Sequence, residues 1–125
     1  MEGYSVKVAE SSKELTGKER VAIKDITNAI KLDAVVEVGE RFTIKPSYTA
    51  ILEIHNEKSE NKDYKVFVLV NENGEKYITS SESFITSYKD IAEEMANEEE
   101  EWGIDVYKVE SKNYKGRYFI TCSIA

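Results

Sequence analysis

Residues 111–119 read SKNYKGRYF, and they set three cations among three aromatics: Lys112, Lys115 and Arg117 interleave with Tyr114, Tyr118 and Phe119. Single-stranded nucleic acid suits that mixture. Bases stack on aromatic faces at about 1–3 kcal/mol each, while cations track the phosphates. A second mixture lies upstream. In YKVFVLV (64–70), strand alternation sets Tyr64, Val66, Val68 and Val70 on one face and Lys65, Phe67 and Leu69 on the other. A Lys and a Phe would again be presented together, and Tyr77 adds a further ring. In the last strand, Tyr118, Ile120, Cys122 and Ile124 form the inward face and leave Arg117, Phe119, Thr121 and Ser123 outside. The expected nucleic-acid-binding set is therefore Lys65, Phe67, Tyr77, Lys112, Tyr114, Lys115, Arg117 and Phe119. The competing explanation is that strands are aromatic-rich for packing reasons, so that some of these rings fill a core or cover a sheet edge.

Nothing comparable marks a catalytic centre. The chain has one histidine, His55, and one cysteine, Cys122. It has no HExxH pair, no paired-cysteine zinc signature and no phosphate-binding loop. His55 ends a strand beside a polar stretch and reads as an exposed loop residue, with a ligand or base role as the minority reading. Cys122 falls in phase with Ile120 and Ile124 and reads as a core thiol. The expectation is a protein that is not an enzyme and that uses neither metal nor cofactor.

Charge is unevenly placed. The chain carries −7, yet the six Glu of EEMANEEEE (93–101) account for all but one unit of it. Residues 111–118 alone carry +3. Net negative charge disfavours nonspecific nucleic-acid binding. A local cationic surface survives it, because the Debye length is about 8 Å at physiological salt. The run Glu98–Glu101 reads first as a solvated helix end, although a helix C-terminus prefers cations. Its functional readings are a cation-attracting patch, a docking site for a basic partner, or a mimic of DNA charge. Trp102, directly after it, reads as an anchor for the next strand.

The 125 residues fit one domain, with 41% hydrophobic and 33% charged content. No apolar run approaches the roughly 20 residues that span a membrane, and the first residues lack a signal-peptide pattern. With a single cysteine, this predicts an intracellular, cytoplasmic protein. Residues 1–15 read as polar and loose. Thr16 and Glu19 form a capping-box pattern for a helix over 17–31 that buries Val21, Ile26 and Ile30, although RVAIKDI also reads as a strand. Residues 34–46 read as extended. The later elements are sharper: strands at 47–55, 64–70 and 75–79, the last two joined at Asn73-Gly74. A helix follows SSES (80–83), with Phe84, Tyr88, Ile91 and Met95 on one stripe. Strands at 104–109 and 117–124 complete the chain. That order matches an OB barrel, a mixed β class with one main helix, and other α+β sheets share it. The expected division is an N-terminal extension, 1–46, with a helix and an extended segment, packed on an OB-like core, 47–125. Its 1–2 and 4–5 loops would be HNEKSENKD and ESKNYKG.

The blocks YITSSESFITSYKDIAEEM, WGIDVYKV and SKNYKGRYFITCSI resemble single-stranded DNA-binding proteins encoded by small tailed bacteriophages. The similarity covers roughly residues 48–124 and is most specific in SESF and NYKGRYF. It implies an OB-like fold that coats and protects displaced strands during phage DNA replication in the host cytoplasm, without cofactor. Partners would be single-stranded DNA, further copies of the chain or replication proteins, and not a membrane. By position, it supports Tyr114, Lys115, Arg117 and Phe119. The alternative is an acidic phage-encoded inhibitor whose Glu run binds a basic host DNA-handling protein.

Overall fold

The computed structural model describes residues 3–125. The elements in chain order are β1 (Tyr4–Ser11), α1 (Gly17–Lys24), β2 (Ile30–Lys31), α2 (Leu32–Val35), β3 (Arg41–Ile44), β4 (Pro46–Asn56), β5 (Asp63–Asn71), β6 (Lys76–Thr79), α3 (Glu82–Met95), β7 (Ile104–Glu110) and β8 (Tyr118–Ile124). The result is a β-rich mixed fold in which α3 is the main helix. Among the described residues the strands form two sheets and no closed barrel: one of five strands in the order β1-β4-β5-β6-β2, and one of three in the order β3-β7-β8. The strands expected to share a barrel are thus divided between the sheets.

The chain also divides into two compact units, each assembled from two separate stretches, with changeovers after Ile30, Pro46 and Ser80. The first comprises the described residues up to Ile30 together with Ser47–Ser80. The second comprises Lys31–Pro46 and Ser81–Ala125. Both ends of the expected N-terminal extension are therefore built into a sheet. Residues 4–11, which read as loose, form β1, antiparallel to β4 from Tyr4↔Asn56 to Ser11↔Ala50, with a bulge between Val8 and Glu10. Their polar composition fits an edge strand, one side of which faces water.

In the first unit, Ala50, Leu52 and Ile54 of β4 and Val66, Val68 and Val70 of β5 form one core with Leu15 and Ile23. Tyr48 packs against that core, so the expected β4 face is the observed one. Helix α1 starts at the expected capping box, where the Thr16 hydroxyl accepts from the Glu19 amide and the Glu19 carboxylate accepts from the Thr16 amide. It is shorter than the expected helix over 17–31 and turns a different side inward. Ile23 is fully buried, and Val21 is 73% exposed. The early stop at Lys24 resets the geometry. The backbone beyond Asp25 is no longer helical, so Ile26 and Ile30 do not extend a stripe from Val21. Lys76 of β6 donates to the carbonyls of Ala22 and Asp25 at this helix end, where a cation is favoured.

In the second unit, α3 and α2 pack against β8. The Ser81 hydroxyl caps α3, and the Ser83 hydroxyl donates to the Ile120 carbonyl at 2.9 Å. The expected stripe on α3 is present: Phe84 and Tyr88 are buried, and Ile91 and Met95 are half-buried. The Tyr88 ring lies 6.0 Å from Trp102, which ties the helix to the start of β7 as expected of an anchoring Trp. Gly103 follows because a Cβ there would come within 3.0 Å of the Ile44 carbonyl oxygen. Residues 34–46, expected to be extended, begin with the last turn of α2 and become a strand only at Arg41.

The two faces of α1 differ enough for a direct test. Ile23→Ala should lower the unfolding free energy by about 2–5 kcal/mol, and Val21→Ser should stay within about 0.5 kcal/mol of wild type. Urea denaturation of the two variants would check both values.

Candidate nucleic-acid interface

The seven residues between β7 and β8 form an ordered connection. The Ser111 amide donates to the Arg117 carbonyl at 2.8 Å, and the Arg117 amide donates to the Tyr114 carbonyl at 3.2 Å. Gly116 supplies the turn at φ 82°, a conformation that a side chain resists. This fold-back leaves Lys112, Tyr114, Lys115 and Arg117 exposed together. Tyr114 is 63% exposed, and the Arg117 guanidinium lies 5.7 Å from its ring centre. Such a pair keeps a flat cation and a flat ring side by side.

The strand register extends this surface onto the sheet. Paired residues on antiparallel strands share a face. Phe119 pairs with Val109, Thr121 with Tyr107, and Tyr107 with Arg41. Phe119, Val109 and Arg41 are exposed and Tyr107 is half-buried, whereas Ile44, Ile104, Val106, Ile120 and Cys122 on the opposite face are buried. Arg41 lies over the Tyr107 ring at 4.4 Å and pairs with Asp105 at 3.7 Å. Asp105 in turn accepts from the Thr43 hydroxyl at 2.6 Å. One face of the three-stranded sheet therefore carries the rings of Tyr107 and Phe119 and the cation Arg41, with Tyr114, Lys112, Lys115 and Arg117 at its end.

The expected site residues separate accordingly. Lys112, Tyr114, Lys115, Arg117 and Phe119 are brought together in the second unit. Lys65 is exposed in the first. Phe67 and Tyr77 are corrected. Phe67 is 2% exposed and Tyr77 4%, so neither offers a face to a base. The reason lies in β5, which is flanked by β4 and β6 and buried on both faces from Val66 to Val70. Alternation selects an outward face only where one face meets water. On β8 the inward set holds at its centre, where Ile120 is 1% and Cys122 5% exposed, but Tyr118 and Ile124 at the strand ends are exposed. The Tyr118 hydroxyl instead donates to Glu110, its cross-strand partner. Arg41 and Tyr107 were not anticipated. Their pairing joins segments more than sixty residues apart, and no local periodicity encodes it.

The isolated reactive groups have structural surroundings. Burial pushes the Cys122 thiol up to about 12, which disfavours the nucleophilic thiolate and fits the expected core thiol. His55 is more engaged than a loop residue. Its Nδ1 lies 2.7 Å from an Asp63 carboxylate oxygen and its Nε2 lies 2.6 Å from one of Glu57. Only the imidazolium offers an N–H to both. Lys62 lies 3.3 Å from the other Glu57 oxygen. The cluster clamps the β4–β5 connection. Because its ring sits between the two carboxylates, it does not converge on a metal, and no group of His, Cys, Asp or Glu suited to a metal ion occurs among the described residues. Among those residues, too, no helix is long and apolar enough to cross a membrane. No family model, curated protein or solved structure matches the chain.

Hydrogen bonds to Asp63 first, then to Glu57, raise the His55 pKa above its ordinary 6.5. A raised folded-state pKa means that the clamp's contribution is full below about pH 6.5 and is lost as pH rises through the folded value. NMR titration of the His55 ring should give a midpoint above that of a free imidazole, and Asp63→Asn should lower it.

Proposed function

We propose that this chain is a non-enzymatic single-stranded DNA-binding protein that coats and protects displaced strands. The observation that carries the reading is the sheet face bearing the exposed Phe119, the half-buried Tyr107 and Arg41, which also pairs with Asp105, together with the exposed Lys112, Tyr114, Lys115 and Arg117 of the loop at its end. Bases would stack on Phe119 and Tyr114, and the four cations would face the phosphates. The backbone-directed cations and generic rings carry no base-edge recognition, so little sequence preference is expected. The phage replication setting and the host cytoplasm rest on the resemblance of SESF and NYKGRYF. The OB-like order β4-β5-β6-α3-β7-β8 is kept along the chain but spread over two sheets. The proposed contact surface is accordingly the β3-β7-β8 face and its 111–117 loop, and not a barrel cleft built on Phe67 and Tyr77.

Charge placement supports this reading. The acidic run precedes Ile104, and the cationic loop follows Glu110 at the other end of β7. Six steps of about 3.3 Å separate them by roughly 20 Å, more than two Debye lengths at about 8 Å. The −7 of the chain therefore weighs little on the loop. The same geometry leaves Glu98–Glu101 exposed, which is what the alternative reading, an acidic inhibitor of a basic host protein, would use. That alternative predicts no DNA affinity.

Titration of labelled oligo-dT separates the two. With about four phosphate contacts, affinity should fall roughly fifty-fold between about 50 and 200 mM salt. A Lys115→Ala/Arg117→Ala/Phe119→Ala variant should lose at least about a hundredfold. Phe67→Leu, a change in the buried strand, should leave affinity near wild type. No binding at low salt, or an unaffected triple variant, would sink the proposal.

A further inference from the structure

The three-stranded sheet ends in opposite chemistries. Beyond Glu110 the loop presents Lys112, Tyr114, Lys115 and Arg117, all exposed. Before Ile104 the chain lines a groove of about 340 Å³ with Trp102, Met95 and Ile124, and Glu100 and Glu101 also border it. Ile124 is 50% exposed there, an apolar side chain left in water. Glu98, Glu99, Glu100 and Glu101 are all exposed. Among the described residues Lys45 is the one cation lining the groove, against Glu100 and Glu101.

Within one chain these ends do not meet. The β7–β8 ladder holds them roughly 20 Å apart, at about 3.3 Å per residue of strand. Between two chains they match in charge, and Tyr114 is the one exposed ring on the loop tip. We infer that the groove receives the 111–117 loop of a second copy. Tyr114 enters against Trp102, Met95 and Ile124, while Lys112, Lys115 and Arg117 face Glu98–Glu101. The groove has room for one aromatic side chain, and burying it recovers the apolar surface that Tyr114 and Ile124 now expose.

Such an interface is heterologous. Each copy keeps one free loop and one free groove, so association proceeds head to tail rather than closing as a symmetric pair. Arg41, Tyr107 and Phe119 lie on the sheet face and outside the contact. The loop is shared with the proposed DNA surface, so a loop seated in a groove is not offered to DNA at the same time; the inference does not require the DNA reading, and its experiment contains no DNA, so either can fail alone.

Sedimentation velocity of the full chain tests it at about 0.05 M and 0.5 M salt, a range over which exposed ion pairs are progressively screened. Wild type should associate with rising concentration at low salt and revert to monomer at high salt. Two charge-reversed variants carry the decisive arm: Lys112→Glu/Lys115→Glu, and Glu98→Lys/Glu99→Lys/Glu100→Lys/Glu101→Lys. Each alone should be monomeric, and mixing them should restore association because opposite charges again face each other. Far-ultraviolet circular dichroism of both variants should match wild type. Trp102 emission should shift to the blue on association as its ring loses water. A wild-type chain that stays monomeric at low salt would overturn the inference, as would variants that associate as wild type does. In a parallel arm, oligolysine binding as tightly as the peptide SKNYKGR would also overturn it, and would point to a basic foreign partner instead.

Discussion

The β7–β8 ladder is the constraint on which the second unit depends. Its register runs from Ile104↔Ile124 to Glu110↔Tyr118 without a shift. That register decides three things at once. It sends Val106, Ile120 and Cys122 to the core, it sends Val109 and Phe119 to the surface, and it fixes the loop and the acidic run at opposite ends. A slip of one residue would exchange the faces and bury Phe119 in place of Ile120 and Cys122. The backbone of β8 is secured from the helix side as well, since Ser83 reaches the Ile120 carbonyl and the Ser87 and Thr121 hydroxyls lie 2.9 Å apart. The exposed surface is thus held by the same pairs that hold the core.

Legibility in the sequence followed the range of the interactions. The Thr16–Glu19 capping box, the Ser81 cap and the α3 stripe are made within a few residues, and each could be read directly. So could the face of β4, because its alternation is clean. Long-range facts were not legible. Residues 4–11 carry no strong strand pattern, yet β4 supplies a partner for them. Phe67 and Tyr77 failed as surface rings for the same reason: whether a strand is central is a property of the sheet. Val21 failed because the length of α1 sets which residues share its stripe, and helix ends are weakly encoded. The candidate surface was half legible. Its loop is contiguous in sequence, whereas Arg41 and Tyr107 join it only through strand pairing.

An acidic chain accommodates a cationic loop by distance. Most of the net charge comes from one run, and that run is separated from the loop by a rigid strand. What remains near the loop is Glu110, which accepts from the Tyr118 hydroxyl and raises that phenol's pKa. The first unit manages its charges differently. There His55, Glu57, Asp63 and Lys62 form one local cluster, and its opposite charges largely cancel. The second unit instead leaves its acidic run and its cationic loop exposed at opposite ends of one strand, although Arg41 and Asp105 pair between them.

Packing alone accounts poorly for that separation. β-Propensity explains one exposed ring on an edge strand, and Phe119 taken by itself would need nothing more. It does not explain why an exposed Arg covers Tyr107 on the neighbouring strand, nor why Arg117 stands beside Tyr114 at the tip of the loop. Leaving a large apolar side chain in water forgoes about 1.5–3 kcal/mol of burial. Rings repeatedly paired with cations on one face are poor choices for closing a core and good ones for meeting a flat, anionic polymer. Ring and cation coincide at Arg41–Tyr107 and again at Arg117–Tyr114, and that repetition, not any single residue, supports the proposed function.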